Sequence, residues 1–375
     1  MPVSFGPESK FKDLEAAFKE IRLESNDKKS DVRSLAVVKD DESKVLLDRP
    51  EKIGYYSVRH RLEDDEREYV GNASELKYLH IPSPIILDLT HGYDKSVRYG
   101  EWGNSKLDKL LKWISINIQE SDSHRPLLDA DFVTTRRVLA YIMTYPYQRI
   151  EQLTIAAVKF RGNIYLCPFW PTQQPKSDSL NQMSFSGYRF EKYLTSTDPN
   201  RASDLDEFDR NGYIGVIKTQ MTTNAPKRSV HSVIFTSKLD CLADKWSKSN
   251  SLDQFVELKC AKKLNRHKLL QWWAHTHLIG VPIIHCGIRD DRLMVKTVQE
   301  IKVDSLRENT FWTPEVCLNF MNDFLTHVKQ VVIDDNPDLV YLFECRPRHV
   351  ITCTKMIKPT DFEVLPNWYV EVFKE

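Results

Sequence analysis

Leu239-Asp240-Cys241, followed a little further on by Phe255-Val256-Glu257-Leu258-Lys259-Cys260, is the stretch that decides the fold. An apolar strand presenting Asp, then a second presenting Glu-x-Lys, is the pattern of a metal-dependent site that cuts phosphodiesters. Side chains two apart in a strand point to the same face. Glu257 and Lys259 are therefore expected to share a face, with Val256, Leu258 and Cys260 packed behind. Two carboxylates can hold Mg²⁺ against a phosphate, and the lysine can polarise the attacking water or a phosphate oxygen. Lys238, two before Asp240, is expected to point into the same pocket.

Strands are expected outward from this motif at Gly212 to Lys218 and Ser229 to Asp240. A helix from His267 to Ile279 follows, stopped by Gly280 and Pro282. Further strands fall at Ile283 to Ile288 and Arg292 to Thr297. Upstream, Leu107, Leu110, Leu111, Ile114 and Ile118 share one face of a helix from Lys106 to Gln119, with Ser105 at its cap and Asp108 three later. A second helix is expected over Phe132 to Met143. Leu153 to Phe160 and Asn163 to Pro168 read as a hairpin around Arg161-Gly162. Thr172 to Gln182 and the acidic Ser203 to Arg210 read as loops. Thr313-Pro314-Glu315 opens a long helix with Cys317, Phe320, Phe324, Val328 and Val331 inward. The strand-strand-helix-strand order around the acidic motif predicts an α/β chain, a mixed sheet flanked by helices in one large domain. Residues 1–48 are charged and thinly apolar, as at Ser25-Asn26-Asp27-Lys28-Lys29-Ser30. They are expected to form a loosely ordered extension of a domain spanning 49–375.

The 375 residues carry 53 basic and 53 acidic side chains, so no global positive field marks a nucleic-acid binder, and any such contact must be local. Seven cysteines without a CxxC pair argue against a disulfide framework or a zinc knuckle and for a reducing compartment. No apolar run approaches the ~20 residues of a membrane span, and the N-terminus lacks a signal-peptide core. A soluble, intracellular protein is the expectation.

Gly187-Tyr188-Arg189-Phe190-Glu191 adds a third carboxylate, expected at the start of a helix. Each acidic residue alone has an ordinary reading: Glu191 as a dipole partner, Asp240 as a strand end, Glu257 in a solvated pair with Lys259. Their order ahead of Lys268-Leu269-Leu270-Gln271-Trp272-Trp273-Ala274 is more specific. That order resembles the DXO (Dom3Z) family of decapping exonucleases, whose fold looks like the PD-(D/E)xK nucleases. The resemblance covers about residues 50 to 375. It includes Asp88-Leu89 with Gly92-Tyr93, Leu107-Asp108-Lys109-Leu110-Leu111-Lys112-Trp113 and Gly280-Val281-Pro282. Trp312-Thr313-Pro314-Glu315-Val316-Cys317 and Leu365-Pro366-Asn367-Trp368-Tyr369-Val370-Glu371 belong to it too.

The resemblance implies RNA 5′-end quality control: removal of faulty caps, hydrolysis of a 5′ triphosphate, or 5′ to 3′ degradation. It implies that Glu191, Asp240, Glu257 and the Leu258 carbonyl hold Mg²⁺ or Mn²⁺, and that Lys259 touches the scissile phosphate. Arg136 would grip the RNA 5′ end, although alone it reads as a surface arginine of a helix. Glu101 would contact substrate. A nuclear location (alternatively cytoplasmic) is implied as well, with a nuclear 5′→3′ exoribonuclease or chromatin-associated RNA-processing factors as partners.

The chain departs from the family pattern at three places. Where Glu-x-Asp is expected stands Lys238-Leu239-Asp240. With glutamate at 238, residues 191, 238, 240, 257 and 259 would sum to −3; with lysine they sum to −1. Mg²⁺ depends on carboxylate charge, and a like charge ~4 Å away costs on the order of 4 kcal/mol at an effective dielectric near 20, so weakened metal binding is expected. His275 replaces a glutamine and keeps a hydrogen-bonding role toward RNA, and Arg137 replaces a glycine beside the 5′-end pocket. His267, His275 and His277 do not form a zinc set, since 275 and 277 lie on different helix faces. Two readings follow. One is an RNA 5′-end-binding protein with lost or feeble hydrolysis, similar to the insect Cutoff-type factors that protect piRNA precursors from termination and decay. The other is a metal-dependent decapping enzyme, 5′-triphosphate hydrolase or 5′→3′ exoribonuclease. DNA cleavage is far weaker as a reading, because the matched motifs belong to the RNA family.

Overall fold

The computed structural model describes residues 33–35, 44–60, 66–95, 97, 106–118, 126–148, 152–170, 177–206, 209–223, 230–308, 311–346 and 350–374. Its strands are β1 (Arg33–Leu35), β2 (Val45–Leu47), β3 (Glu51–His60), β4 (Arg67–Val70), β5 (Tyr78–Leu79), β6 (Leu87–Asp88), β7 (Phe132–Thr135), β8 (Leu153–Phe160) and β9 (Asn163–Phe169). They continue with β10 (Thr195–Ser196), β11 (Gly212–Thr223), β12 (His231–Leu239), β13 (Cys241–Leu242), β14 (Phe255–Ala261), β15 (Ile283–Arg289), β16 (Met294–Lys302), β17 (Leu339–Cys345) and β18 (Ile351–Ile357). The α-helices are α1 (Asp108–Asn117), α2 (Arg136–Thr144), α3 (Asp178–Leu194), α4 (Arg266–Ile279), α5 (Pro314–Val331) and α6 (Asn367–Val372). No helix among the described residues is long and apolar enough to cross a membrane.

Among the described residues these strands form two mixed sheets flanked by helices, where one sheet was predicted. The larger has eleven strands in the order β1-β18-β17-β8-β9-β7-β12-β11-β3-β4, with β2 also paired to β11. The smaller has seven, in the order β10-β5-β13-β14-β15-β16-β6. Between β12 and β13 the chain passes from the larger to the smaller through one residue, Asp240. β14 and β15 run parallel and are joined by α4, as the strand-helix-strand reading requires.

The large sheet is buried on both faces. On β8, Ile155 and Ala157 pack into one apolar cluster while Ala156 and Val158 pack into the opposite one, as the two-residue period of a strand demands. The first cluster takes in α2, α4 and α5 through residues such as Leu139, Trp273 and Phe324. The second takes in α1 and α6 through Leu110, Ile114 and Tyr369. The β8–β9 hairpin forms as expected, its turn made by Arg161 (φ 50°) and Gly162 (φ 78°).

Four expectations need correction. Phe132 to Met143 is not one helix. The β-branched Val-Thr-Thr run makes β7, parallel to both β12 and β9, and α2 begins only at Arg136. The loop expected through Gln182 ends earlier: Ser177 caps α3 by accepting from the Leu180 N–H, and Asp178 starts the helix. Its first turn is polar because it is exposed, and buried aromatics enter only from Phe185. Glu191 consequently lies in the last turn of α3, not its first. Finally, the division at residue 48 falls inside the sheet. β2 pairs with β11 and buries Val45, and β1 pairs with β18. Ser105, the expected cap of the first helix, and Glu101 lie outside the described residues; α1 itself starts at Asp108.

Candidate active site

The seam between the two sheets opens into a cleft of about 940 Å³. Its lining includes Thr135, Arg136, Arg137, Glu191, Lys238, Asp240, Glu257, Lys259 and His275. Each sheet contributes. Lys238 is the second-last residue of β12 and Arg136 follows directly on β7, both strands belonging to the large sheet. Glu257 and Lys259 stand on β14 of the small sheet, and α3, which carries Glu191, packs against β14. That packing is close because residue 287 of β15 is glycine: a Cβ there would overlap the Phe190 ring, next to Glu191.

The alternation read in β14 holds. Val256 and Leu258 are buried in a small apolar cluster with Cys260 packed against it, while Lys259 Nζ bonds Glu257 Oε1 at 2.6 Å. Glu257 is almost wholly buried, and its Oε2 accepts from Arg136 at 3.1 Å. Asp240 Oδ2 accepts the Leu258 N–H at 2.8 Å. Lys238 turns into the cleft as expected, donating a short hydrogen bond to Glu191 Oε2 and lying 3.6 Å from Asp240 Oδ1. A carboxylate near a helix C-terminus is disfavoured by the dipole, so Lys238 answers a charge that α3 itself cannot satisfy. Two of these ion pairs, Lys238–Glu191 and Arg136–Glu257, cross the seam.

The charges tune one another strongly. Burial pushes the Asp240 carboxyl up, and the neighbouring Glu257 and Glu191 push it further. Burial also raises Glu257, but Arg136 and Lys259 outweigh it and hold that carboxyl well below the usual range. Burial pulls the Lys238 ammonium down, while Glu191 and Asp240 overcome this and hold it above its ordinary value. His275, half-buried on α4, is pushed down to about 3 by burial and by Arg136 and Lys259. It therefore faces the cleft as a neutral donor and acceptor.

A divalent cation does not fit this donor set as it stands. The three carboxylates each already face nitrogen donors. The ammonium of Lys238 sits between Glu191 and Asp240, two of the carboxylates that would hold such an ion. Glu191, Asp240 and Glu257 against Lys238, Lys259 and Arg136 leave no net charge to offset the dehydration of a doubly charged ion. Among the described residues, no three His, Cys, Asp or Glu side chains are grouped so as to hold a metal.

The structure thus brings together Glu191, Asp240, Glu257, Lys259, Arg136, Arg137 and His275, with Leu258 tied to Asp240 through its N–H. Three further cleft residues were not foreseen. Thr135 adjoins Arg136 and was masked by the misassigned helix. Gln271 precedes His275 by one helical turn and was signalled by that spacing. Trp170 follows β9 and lies under Arg137, with the guanidinium carbon 4.3 Å from a ring centre; no sequence spacing marks it.

A family model described as RAI1 like PD-(D/E)XK nuclease matches residues 48–370. The decapping and exoribonuclease protein of Xenopus laevis is 30% identical over 355 residues, covering 86% of this chain and 85% of that protein. The decapping and exoribonuclease protein Rai1 of Drosophila melanogaster is 26% identical over 360 residues, covering 88% and 92%. Among solved structures, Scheffersomyces stipitis Rai1 in complex with (3′-NADP)⁺ and calcium superposes with a TM-score of 0.74 at 18% identity, covering 91% of this chain and 99% of that one. Candida albicans Rai1 in complex with pU5-Mn²⁺ gives 0.70 at 18%, covering 92% and 99%. The family match spans the β12, β14 and α4 segments that build the cleft, and the chain belongs to the RAI1-like PD-(D/E)XK nuclease family, whose relatives here are decapping exoribonucleases.

Proposed function

We propose that this protein binds RNA 5′ ends in the cleft and that its metal-dependent hydrolysis is lost or feeble, so that it shields or tethers transcripts rather than degrading them. One observation carries the reading: the Lys238 ammonium lies between Glu191 and Asp240 in place of a cation. The relatives are decapping exoribonucleases, which points to an RNA 5′ end, and Rai1 structures in complex with calcium and with manganese point to the divalent ion whose place the lysine takes. Lys259, Arg136 and His275 remain on the cleft wall to meet a phosphate chain, and Gln271 adds a hydrogen-bonding amide. A nuclear location and a nuclear 5′→3′ exoribonuclease as partner belong to the same reading. Co-purification from nuclear rather than cytoplasmic extract tests both.

A second reading, an active decapping or 5′-end hydrolase, is favoured by the retained Glu257–Lys259 pair and by the relatives' names. The two part cleanly in one experiment. Purified protein is incubated with Mg²⁺ or Mn²⁺ and RNA bearing a triphosphate, an unmethylated cap or a monophosphate. The expected result is RNA binding without appreciable product. Product that forms with the wild type and disappears in Glu257→Ala would overturn the binding-protein reading.

A further inference from the structure

We infer that two copies of this chain pair through the outward faces of α1 and α6, with Ile116, Trp368 and Val372 at the centre of a two-fold interface. The inference does not rest on the RNA 5′-end reading.

α1 and α6 pack side by side over one face of the large sheet. Lys106, just before α1, meets Glu363, just before α6, at 3.8 Å. Further along, the Lys112 ammonium lies 6.0 Å from the Trp368 ring centre. The two helices therefore run in the same direction. Their inner faces are spent on the core, where Leu110, Leu111, Trp113 and Ile114 of α1 and Tyr369 of α6 are buried. One turn beyond Lys112 and Trp368 stand Ile116 and Val372, at the i+4 spacing that keeps a side chain on the same helix face. These two are 57% and 51% exposed, and Trp368 is 40% exposed. Lys112 and the three apolar side chains lie outside the lining of the cleft.

A single exposed apolar side chain needs no explanation, but three on one stripe of two adjoining helices mark a contact surface. Binding energy in such surfaces concentrates on a large aromatic side chain surrounded by smaller apolar contacts. The charges at the ends of the stripe select the occupant. Lys112 flanks it beside Trp368, and the exposed Glu371 flanks it beside Val372. A partner carrying one sign of charge would set a like charge against one end. A second copy meets both ends. Turning it about a two-fold axis through the stripe, perpendicular to the helices, reverses the order of the ends. Lys112 of each copy then faces Glu371 of the other, and the apolar side chains close over the centre. Such a contact satisfies itself twice, as a two-fold pair must.

The test is sedimentation velocity of the full chain over a concentration series. Two short helices make a small interface, so a dimer with a dissociation constant on the order of 10 µM is expected. Ile116→Lys and Val372→Lys each put a charge into the apolar centre and should raise that constant by about tenfold or more. Both positions are exposed, so the melting temperature should stay put. Lys112→Glu and Glu371→Lys each turn two opposite-charge contacts into like-charge ones and should weaken association by about tenfold. Mixed in equal amounts, those two variants regain a Lys–Glu contact at both ends, and the mixture should associate as the wild type does. A wild type that stays monomeric throughout the series overturns the inference, as does a dimer that Ile116→Lys and Val372→Lys leave intact. A mixture no tighter than either charge variant alone overturns the two-fold arrangement.

Discussion

Replacing Lys238 by glutamate should turn a site that repels divalent ions into one that binds them. The Lys238 ammonium lies 3.6 Å from Asp240 Oδ1 and also bonds Glu191. A divalent ion about 4 Å from it meets a repulsion of about 8 kcal/mol at an effective dielectric near 20, twice the value for two unit charges. The Lys238 side chain is 19% exposed, so water and salt screen part of this. Halving the figure leaves about 4 kcal/mol, or roughly a thousandfold in affinity. Lys238→Met removes the repulsion and should gain about that factor; Lys238→Glu adds a ligand and should gain more. Calorimetric titration of Mn²⁺ into the three proteins reads the order directly. In EDTA, Lys238→Glu should melt below the wild type, because Glu191, residue 238 and Asp240 then converge as like charges, and Mn²⁺ should restore it. Equal manganese affinity in all three proteins would refute the electrostatic reasoning and move the block to Arg137 or His275.

Arg136→Ala leaves the buried Glu257 with Lys259 alone and should cost about 3 kcal/mol in denaturant unfolding, with little rescue by lysine. Gly287→Ala forces a methyl group against Phe190 and should destabilise by about 1–3 kcal/mol in the same assay. Acid should weaken the fold through His231, which is fully buried against Thr326 and pushed down to about 4 by burial and Lys329. The unfolded chain takes up that proton near the ordinary pH of ~6.5, so stability is full above it and falls as pH drops toward 4, by on the order of 2 kcal/mol at pH 5. Guanidinium titrations at pH 7.5 and 5.0 should show this loss, and His231→Gln should show a smaller one. The wild-type melting temperature should be the same with and without EDTA; a drop on chelation would mean that a divalent ion holds the native site together.

The part of the site that lies along one strand was legible. Glu257, Lys259 and their apolar backing follow from alternation in β14, and Lys238 from its place two before Asp240. What crosses the chain was not. Arg136 meets Glu257 and Lys238 meets Glu191 because two sheets abut, and a crossing as short as the one residue between β12 and β13 leaves no mark in hydrophobic pattern. Two secondary-structure errors share a cause. Phe132–Thr135 runs without a break signal into α2, so a buried strand and a buried helix merged into one apolar segment. The first turn of α3 is exposed and polar, so a helix start looked like a loop. Thr135 stayed hidden behind the first error, although it touches the residue already singled out.

The ion pairs that span the seam also give the chain its own permanent counter-ions. A protein whose facing carboxylates must recruit metal to stay reconciled is hostage to the supply of that metal. Here a covalently tethered ammonium and a guanidinium rivet the two halves, so the shape of the cleft does not depend on a bound metal.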